Sequence, residues 1–208
     1  MEIKAENLGK RFNKFWVFRK FSFIFHSNFS YAITGPNGSG KSTLLHTLAG
    51  IIPSSEGILK YSSNNKTIPD EEIYNYISIA APYQELIEEF TLNELVDFHF
   101  KFKKLKDGLS RSDLIELLRL GDSRTKEIRH FSSGMKMRLK LGLAFYSDTP
   151  ILLLDEPTSN LDAKGTEWYL QEIKNNLANR LVIICSNQQH EYQFCNHSIS
   201  MENLLQLS

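Results

Sequence analysis

The spacing of apolar positions changes character twice along the chain. In the first third, "EIKAENL", "WVFRKFSFIF" and "YAITG" are rich in aromatic and β-branched residues, with polar breaks between them, and predict strands. "SGKSTLLHTLAG" predicts a helix closed by Gly50. From "TLNELVDFHFKF" to "RSDLIELLRL" apolar residues recur at three and four, the mark of helices. "ILLLDEP" and "LVIICS" are short apolar runs of the kind buried on both faces of a parallel sheet. "GTEWYLQEIKNNLANR", between them, predicts another helix. Strands, a helix, a helical insertion, then alternating strand and helix describe an α/β fold.

Composition narrows the picture without redirecting it. A chain of 208 residues, 41% hydrophobic and 23% charged, suits a single globular domain with a large core, expected to span 1–208. Lys plus Arg equals Asp plus Glu at 24 each, so no nucleic acid partner is expected. Cys185 and Cys195 lack metal-ligand or redox spacing and read as free thiols of a reducing cytosol. No apolar run approaches the roughly 18 residues of a membrane span, and "MEIKAENLGK" lacks the apolar segment of a signal peptide. The expectation is a cytoplasmic protein, able to sit on a membrane through another chain.

Three segments carry candidate chemistry. "GPNGSGKST" runs through Gly35, Pro36, Asn37, Gly38, Ser39, Gly40, Lys41, Ser42 and Thr43, between a predicted strand and a predicted helix. That context is what a P-loop requires. Its glycines let successive N–H groups turn toward one anion, and the helix N-terminus adds partial positive charge. Lys41 can reach β- and γ-phosphates, and the Ser42 hydroxyl can ligate Mg²⁺. In "ILLLDEPTSNLD", Asp155 emerges where a buried strand ends, the edge at which ligands bind in open α/β sheets. Asp155 would hold Mg²⁺ through its water shell. Glu156 would orient or deprotonate an attacking water. In "HFSSGMKMRLKLGLAF", the small residues Ser132, Ser133 and Gly134 precede a helix bearing Lys136, Arg138 and Lys140. Alone, that turn reads as a helix cap; in company with the other two it reads as a second anion site.

Taken together, the chain resembles the ATP-binding cassette (ABC) family, specifically the nucleotide-binding subunit of an ABC transporter. "GPNGSGKST" resembles Walker A, "ILLLDE" Walker B, and "SNLD" the D-loop with Asp162 at its acidic position. "FSSGM" resembles an altered signature motif, usually Leu-Ser-Gly-Gly-Gln: Ser132 and Gly134 match, while Ser133 and Met135 depart. The resemblance implies a P-loop NTPase core with a mainly parallel sheet, an N-terminal antiparallel β subdomain, and a helical subdomain inserted at about 85–148. It implies ATP and Mg²⁺ as ligands, with ATP held between the P-loop of one cassette and the signature of a second. A separate transmembrane permease would turn the cycle into transport, placing the subunit at the inner face of the membrane.

Several residues follow from the resemblance alone. An aromatic one strand before the P-loop stacks on adenine, and Phe12 sits at that place; Phe15 and Trp16 read equally as core packing. The Q-loop glutamine, implied to contact Mg²⁺ and ATP, matches Gln84 only with a gap, since an ungapped comparison puts Pro82 there. Where the family ends a strand in Ser-His or Thr-His, this chain has "CSNQQH", with Asn187 at the switch position and His190 three residues on. An Asn amide can donate to a phosphate oxygen but cannot become cationic, so intact ATP binding with slow basal hydrolysis is expected. "KFKKLKD" bunches four lysines, read as a solvated face or, less favoured, a lipid-headgroup contact. The alternatives to a transporter subunit are a soluble ABC ATPase, a P-loop kinase, and a nucleotide-gated dimerisation module with weak hydrolysis.

Overall fold

The computed structural model describes residues 1–202. Nine strands and six α-helices appear in chain order: β1 Glu2–Phe12, β2 Phe15–His26, β3 Ser30–Thr34, α1 Lys41–Leu48, β4 Glu56–Ser63, β5 Lys66–Ile68, β6 Ile77–Ala80, α2 Leu92–His99, α3 Arg111–Leu117, α4 Ser133–Tyr146, β7 Ile151–Asp155, α5 Ala163–Asn175, β8 Leu181–Cys185, α6 Gln189–Tyr192 and β9 His197–Ser200. The α/β class and the predicted strands and helices are present. The predicted helix "GTEWYLQEIKNNLANR" is shifted: it starts on its Asp162 cap and ends at Asn175. Arg180, at the end of that stretch, is instead buried, donating to the carbonyls of Phe145, Ser147 and Thr149 where α4 ends.

The strands form two sheets. One is antiparallel, in the order β2-β1-β4-β5; the other is parallel, in the order β6-β7-β8-β3-β9. The period-2 alternation of strands divides the central strands between two cores. Leu152, Leu154, Val182 and Ile184 face α2, α3, α4 and α5. Ile151, Leu153, Leu181, Ile183 and Cys185 face α1 and the antiparallel sheet, against Ile3, Leu8, Phe18 and Phe25. Buried on both faces, β7 and β8 read as unbroken apolar runs for this reason.

The helical insertion lies between β6 and β7, and its entry is set by local chemistry. Thr91 and Glu94 form a reciprocal capping box at α2, and Ser110 and Asp113 do the same at α3. The lysine cluster departs from expectation. Lys103 donates to the carbonyls of Tyr74 and Ile77, Lys106 donates to Asn176 Oδ1 at 2.6 Å, and Lys104 pairs with Asp107 and Asp148. Lys103 and Lys106 therefore anchor this segment to its neighbours, while Lys101 and Lys104 remain on the solvated face that the sequence predicts. Cys185 and Cys195 are free thiols. Among the described residues no helix is long and apolar enough to cross a membrane.

Candidate functional site

At the carboxyl edge of the parallel sheet, β3 and β7 end side by side with β8 between them, and the chain leaves each into a loop. These loops, with the β1–β2 hairpin, enclose a cavity of about 450 Å³ lined by Phe12, Val17, Asn37, Gly38, Gly40, Lys41, Ser42, Thr43, Asp155 and Glu156, closed by Pro82 and Tyr83. The structure thus brings together most of the residues singled out from sequence.

The loop from β3 to α1 turns on glycines at positive φ: Gly35 at 148°, Gly38 at 80° and Gly40 at 94°. Gly40 is needed twice over, because a Cβ there would also lie 2.5 Å from Val17 Cγ1. The Lys41 ammonium is buried and donates to the carbonyls of Gly35 at 2.8 Å and Pro36 at 3.1 Å. The lysine thus sits inside the loop it follows. Beneath it, the Cys185 thiol contacts the Lys41 carbonyl at 3.5 Å.

Asp155 is 1% exposed, and its Oδ1 has no hydrogen-bond partner in the chain. Burial raises its carboxyl above the usual range; the Ser42 hydroxyl pulls it back down. A buried carboxylate oxygen without a donor is costly, and a hard cation is the natural partner for an Asp carboxylate beside a Ser hydroxyl. The donor set therefore fits Mg²⁺. Glu156 follows with φ at 41°, a left-handed conformation costing a non-glycine residue about 1–3 kcal/mol. Its N–H donates to the Cys185 carbonyl at 2.8 Å, which aims the residue out of the sheet.

Phe12 lines the cavity with half its surface exposed, and the Lys10 ammonium lies 4.9 Å from its ring centre. The neighbouring aromatics are not core. Phe15 is 80% exposed at the hairpin tip, and Trp16 is flanked by the Arg11 and Arg19 guanidinia at 5.3 and 4.1 Å. Asn187, at the end of β8, donates from Nδ2 to Asn37 Oδ1 at 2.9 Å and so touches the P-loop. His190 does not turn toward the phosphate side; its Nε2 is 3.1 Å from Thr158 Oγ1.

Three sequence-predicted residue groups lie away from this cavity. Gln84 is one residue beyond Tyr83 and lines neighbouring grooves with Leu86 and Lys140, while Pro82 and Tyr83 line this cavity. Lys140 of α4 fixes that turn by donating to the Pro82 carbonyl at 2.6 Å. Ser132 caps α4 by accepting from Met135 N–H at 3.2 Å. Asp162 caps α5 by accepting from Gly165 N–H at 2.7 Å. The two caps are linked: a Cβ on Gly134 would lie 3.0 Å from the Asn160 carbonyl, so the small residue permits the loop before α5 to pass close to the start of α4. Sequence reasoning missed Val17 and Tyr83. Neither carries a local signal: the alternation of β2 is broken near Val17, and Tyr83 sits in a loop without periodicity.

A model of the family described as ABC transporter matches residues 18–159. The uncharacterised ABC transporter ATP-binding protein YybJ of Bacillus subtilis is 30% identical, over 97% of this chain and 93% of that protein. The linearmycin resistance ATP-binding protein LnrL of Bacillus subtilis is 27% identical over 92% of this chain, which spans 63% of LnrL. Among solved structures, a putative ABC transporter ATP-binding protein from Pyrococcus furiosus superposes with a TM-score of 0.80 at 19% identity, covering 98% of this chain and 99% of that one. The dimeric cassette MJ0796 gives 0.81 at 22% identity, covering 96% and 94%.

Proposed function

This chain belongs to the ABC transporter family, as an ATP-binding and ATP-hydrolysing subunit; on that premise we propose that two such cassettes close on ATP, with Mg²⁺, beneath a separate transmembrane permease. The observation that carries the reading is the joining of a buried Lys41, an unpartnered Asp155 oxygen and a strained Glu156 in one cavity. Gly35 to Thr43 turn backbone N–H groups on the phosphates, and Lys41 neutralises charge at the β- and γ-positions. Ser42 and Asp155 would hold Mg²⁺, which supplies charge neutralisation at the phosphate oxygens. Phe12 offers the base a flat face. A Glu156 carboxylate oxygen orients the attacking water and takes its proton.

Ser132 and Gly134 lie outside the cavity, where only a second cassette could present its nucleotide to them. ATP then binds the closed pair better than the open one, and that difference in affinity drives closure. Hydrolysis removes the γ-phosphate bridge and lets the pair part. The single-domain organisation, with the helices between β6 and β7 facing the permease, belongs to the same reading, as does a place at the inner face of the membrane.

Replacing Glu156 with Gln keeps the shape of the site and removes the base. With Mg²⁺ and ATP this variant should elute from gel filtration as a dimer, and without nucleotide as a monomer. A monomer at saturating ATP would falsify closure between identical copies.

A further inference from the structure

We propose that Glu191 is a positioning residue for hydrolysis: through Thr158 its buried carboxylate fixes the turn that carries Glu156. The proposal rests on the reading of Glu156 as the group that handles the attacking water.

Glu191 is 0% exposed, although it lies in a four-residue helix otherwise turned partly to solvent. Its Oε1 accepts from Thr158 N–H at 2.7 Å and also from the Thr158 hydroxyl; its Oε2 is buried without a partner. Because the hydroxyl spends its proton on Glu191, its oxygen is free to accept from His190 Nε2 at 3.1 Å. The short helix is itself held from behind, since Tyr169 of α5 donates its hydroxyl proton to the Glu191 carbonyl at 2.9 Å. A glutamate needed only for solubility would point outward; this one is spent on a single threonine.

That threonine is two residues after Glu156. A residue at a φ of 41° keeps that conformation only where its surroundings over-determine it. On one side Glu156 N–H is held by the Cys185 carbonyl at 2.8 Å, and Ser159 N–H closes the turn onto the Glu156 carbonyl at 3.0 Å. The Glu191–Thr158 contact supplies the remaining anchor. The same five-residue segment begins at Asn187, whose amide donates to Asn37 of the P-loop. Residues 187 to 191 therefore form a crossbar from the phosphate loop to the Glu156 turn, so that a movement at the phosphates is carried to the carboxylate that acts on water.

A supporting side chain of this kind changes the chemical step by about tenfold to a hundredfold without touching the ligand. Thr158→Val swaps the hydroxyl for a methyl of the same shape and keeps the backbone N–H. With the full chain and saturating Mg²⁺-ATP, its kcat should fall about tenfold while the KM for ATP holds, and Thr158→Ser should restore kcat. An unchanged kcat, or a fall matched by loss of ATP affinity, overturns the proposal. Should the valine variant fail to fold, Glu191→Gln is held to the same two readouts. Glu156→Gln, measured alongside, separates the two ideas. Surviving turnover there removes the premise; lost turnover there with wild-type kcat in Thr158→Val removes only the crossbar.

Discussion

On the proposed reading the chain has two nucleotide-facing surfaces, its own cradle and a turn that meets a second cassette's nucleotide, and they are built to different standards. The phosphate cradle is finished within the chain: its glycines sit at positive φ, its lysine is buried and its carboxylate oxygen lies in place. The turn at Ser132 to Gly134 is a solvent-facing helix start whose serine already serves as a cap. Where the family usually has Gly and Gln it has Ser133 and Met135. A site formed by one chain must be pre-organised, because nothing else will order it. A site completed by a second molecule needs only donors and room.

The contrast can be broken by paired substitutions. Lys41→Ala removes the buried cation and should abolish measurable ATP binding by calorimetry, with turnover down by about a hundredfold or more. Ser132→Ala should leave ATP binding by the dilute, monomeric chain unchanged. It should lower turnover only at concentrations where the pair forms, and cost about 1 kcal/mol of stability from the lost cap. If Ser132→Ala weakened nucleotide binding by the monomer, the two surfaces would not be separable.

Asn187 tests the cradle's own incompleteness. Its amide donates to Asn37 of the P-loop and is neutral at every pH. An imidazole at this position is longer and can carry positive charge as the γ-phosphate departs. Asn187→His should therefore raise kcat a few-fold in a steady-state phosphate-release assay, with KM for ATP little changed. Unchanged or lower turnover would overturn the expectation that Asn187 slows hydrolysis.

The same division explains what was legible in the sequence. The cradle was readable because backbone torsion and charge dictate residue type locally: Gly where φ is positive, Lys41 after it, Asp155 at a strand end. β7 and β8 were readable because burial on both faces erases alternation. What was not readable depends on which distant segment arrives. Lys103, Lys106 and Lys140 look like surface charge in sequence, yet each donates to an oxygen of another segment. Arg180 reads as a helix end and is a buried cap for α4. Gln84 lies two residues beyond the ungapped Q-loop position at Pro82, and it lines a neighbouring groove where Pro82 and Tyr83 line the phosphate cavity. Glu191 carries no local pattern at all; only the meeting of two loops gives it Thr158.

The effect most remote from the nucleotide concerns the far side of the helical insertion, where polar groups support packing instead of phosphate. His99, in the last turn of α2, sits with Nε2 3.0 Å from Ser147 Oγ, beside Lys103. Burial first, and the Lys103 charge second, press its pKa from 6.5 down to about 4. A folded value below the unfolded one means the native state excludes the proton. The neutral ring thus contributes stability fully above about pH 6.5, and that contribution is lost as the pH falls toward 4. Carboxylates titrate in the same window, so the comparison must be between variants. His99→Gln keeps a hydrogen-bonding group for Ser147 and has no proton to gain. Between pH 6.5 and 4 the native protein should lose about 1–2 kcal/mol more unfolding free energy than this variant in urea titrations. Equal losses would place His99 in contact with water on the surface of the insertion, and would leave Lys103 as the polar group that joins it to the core.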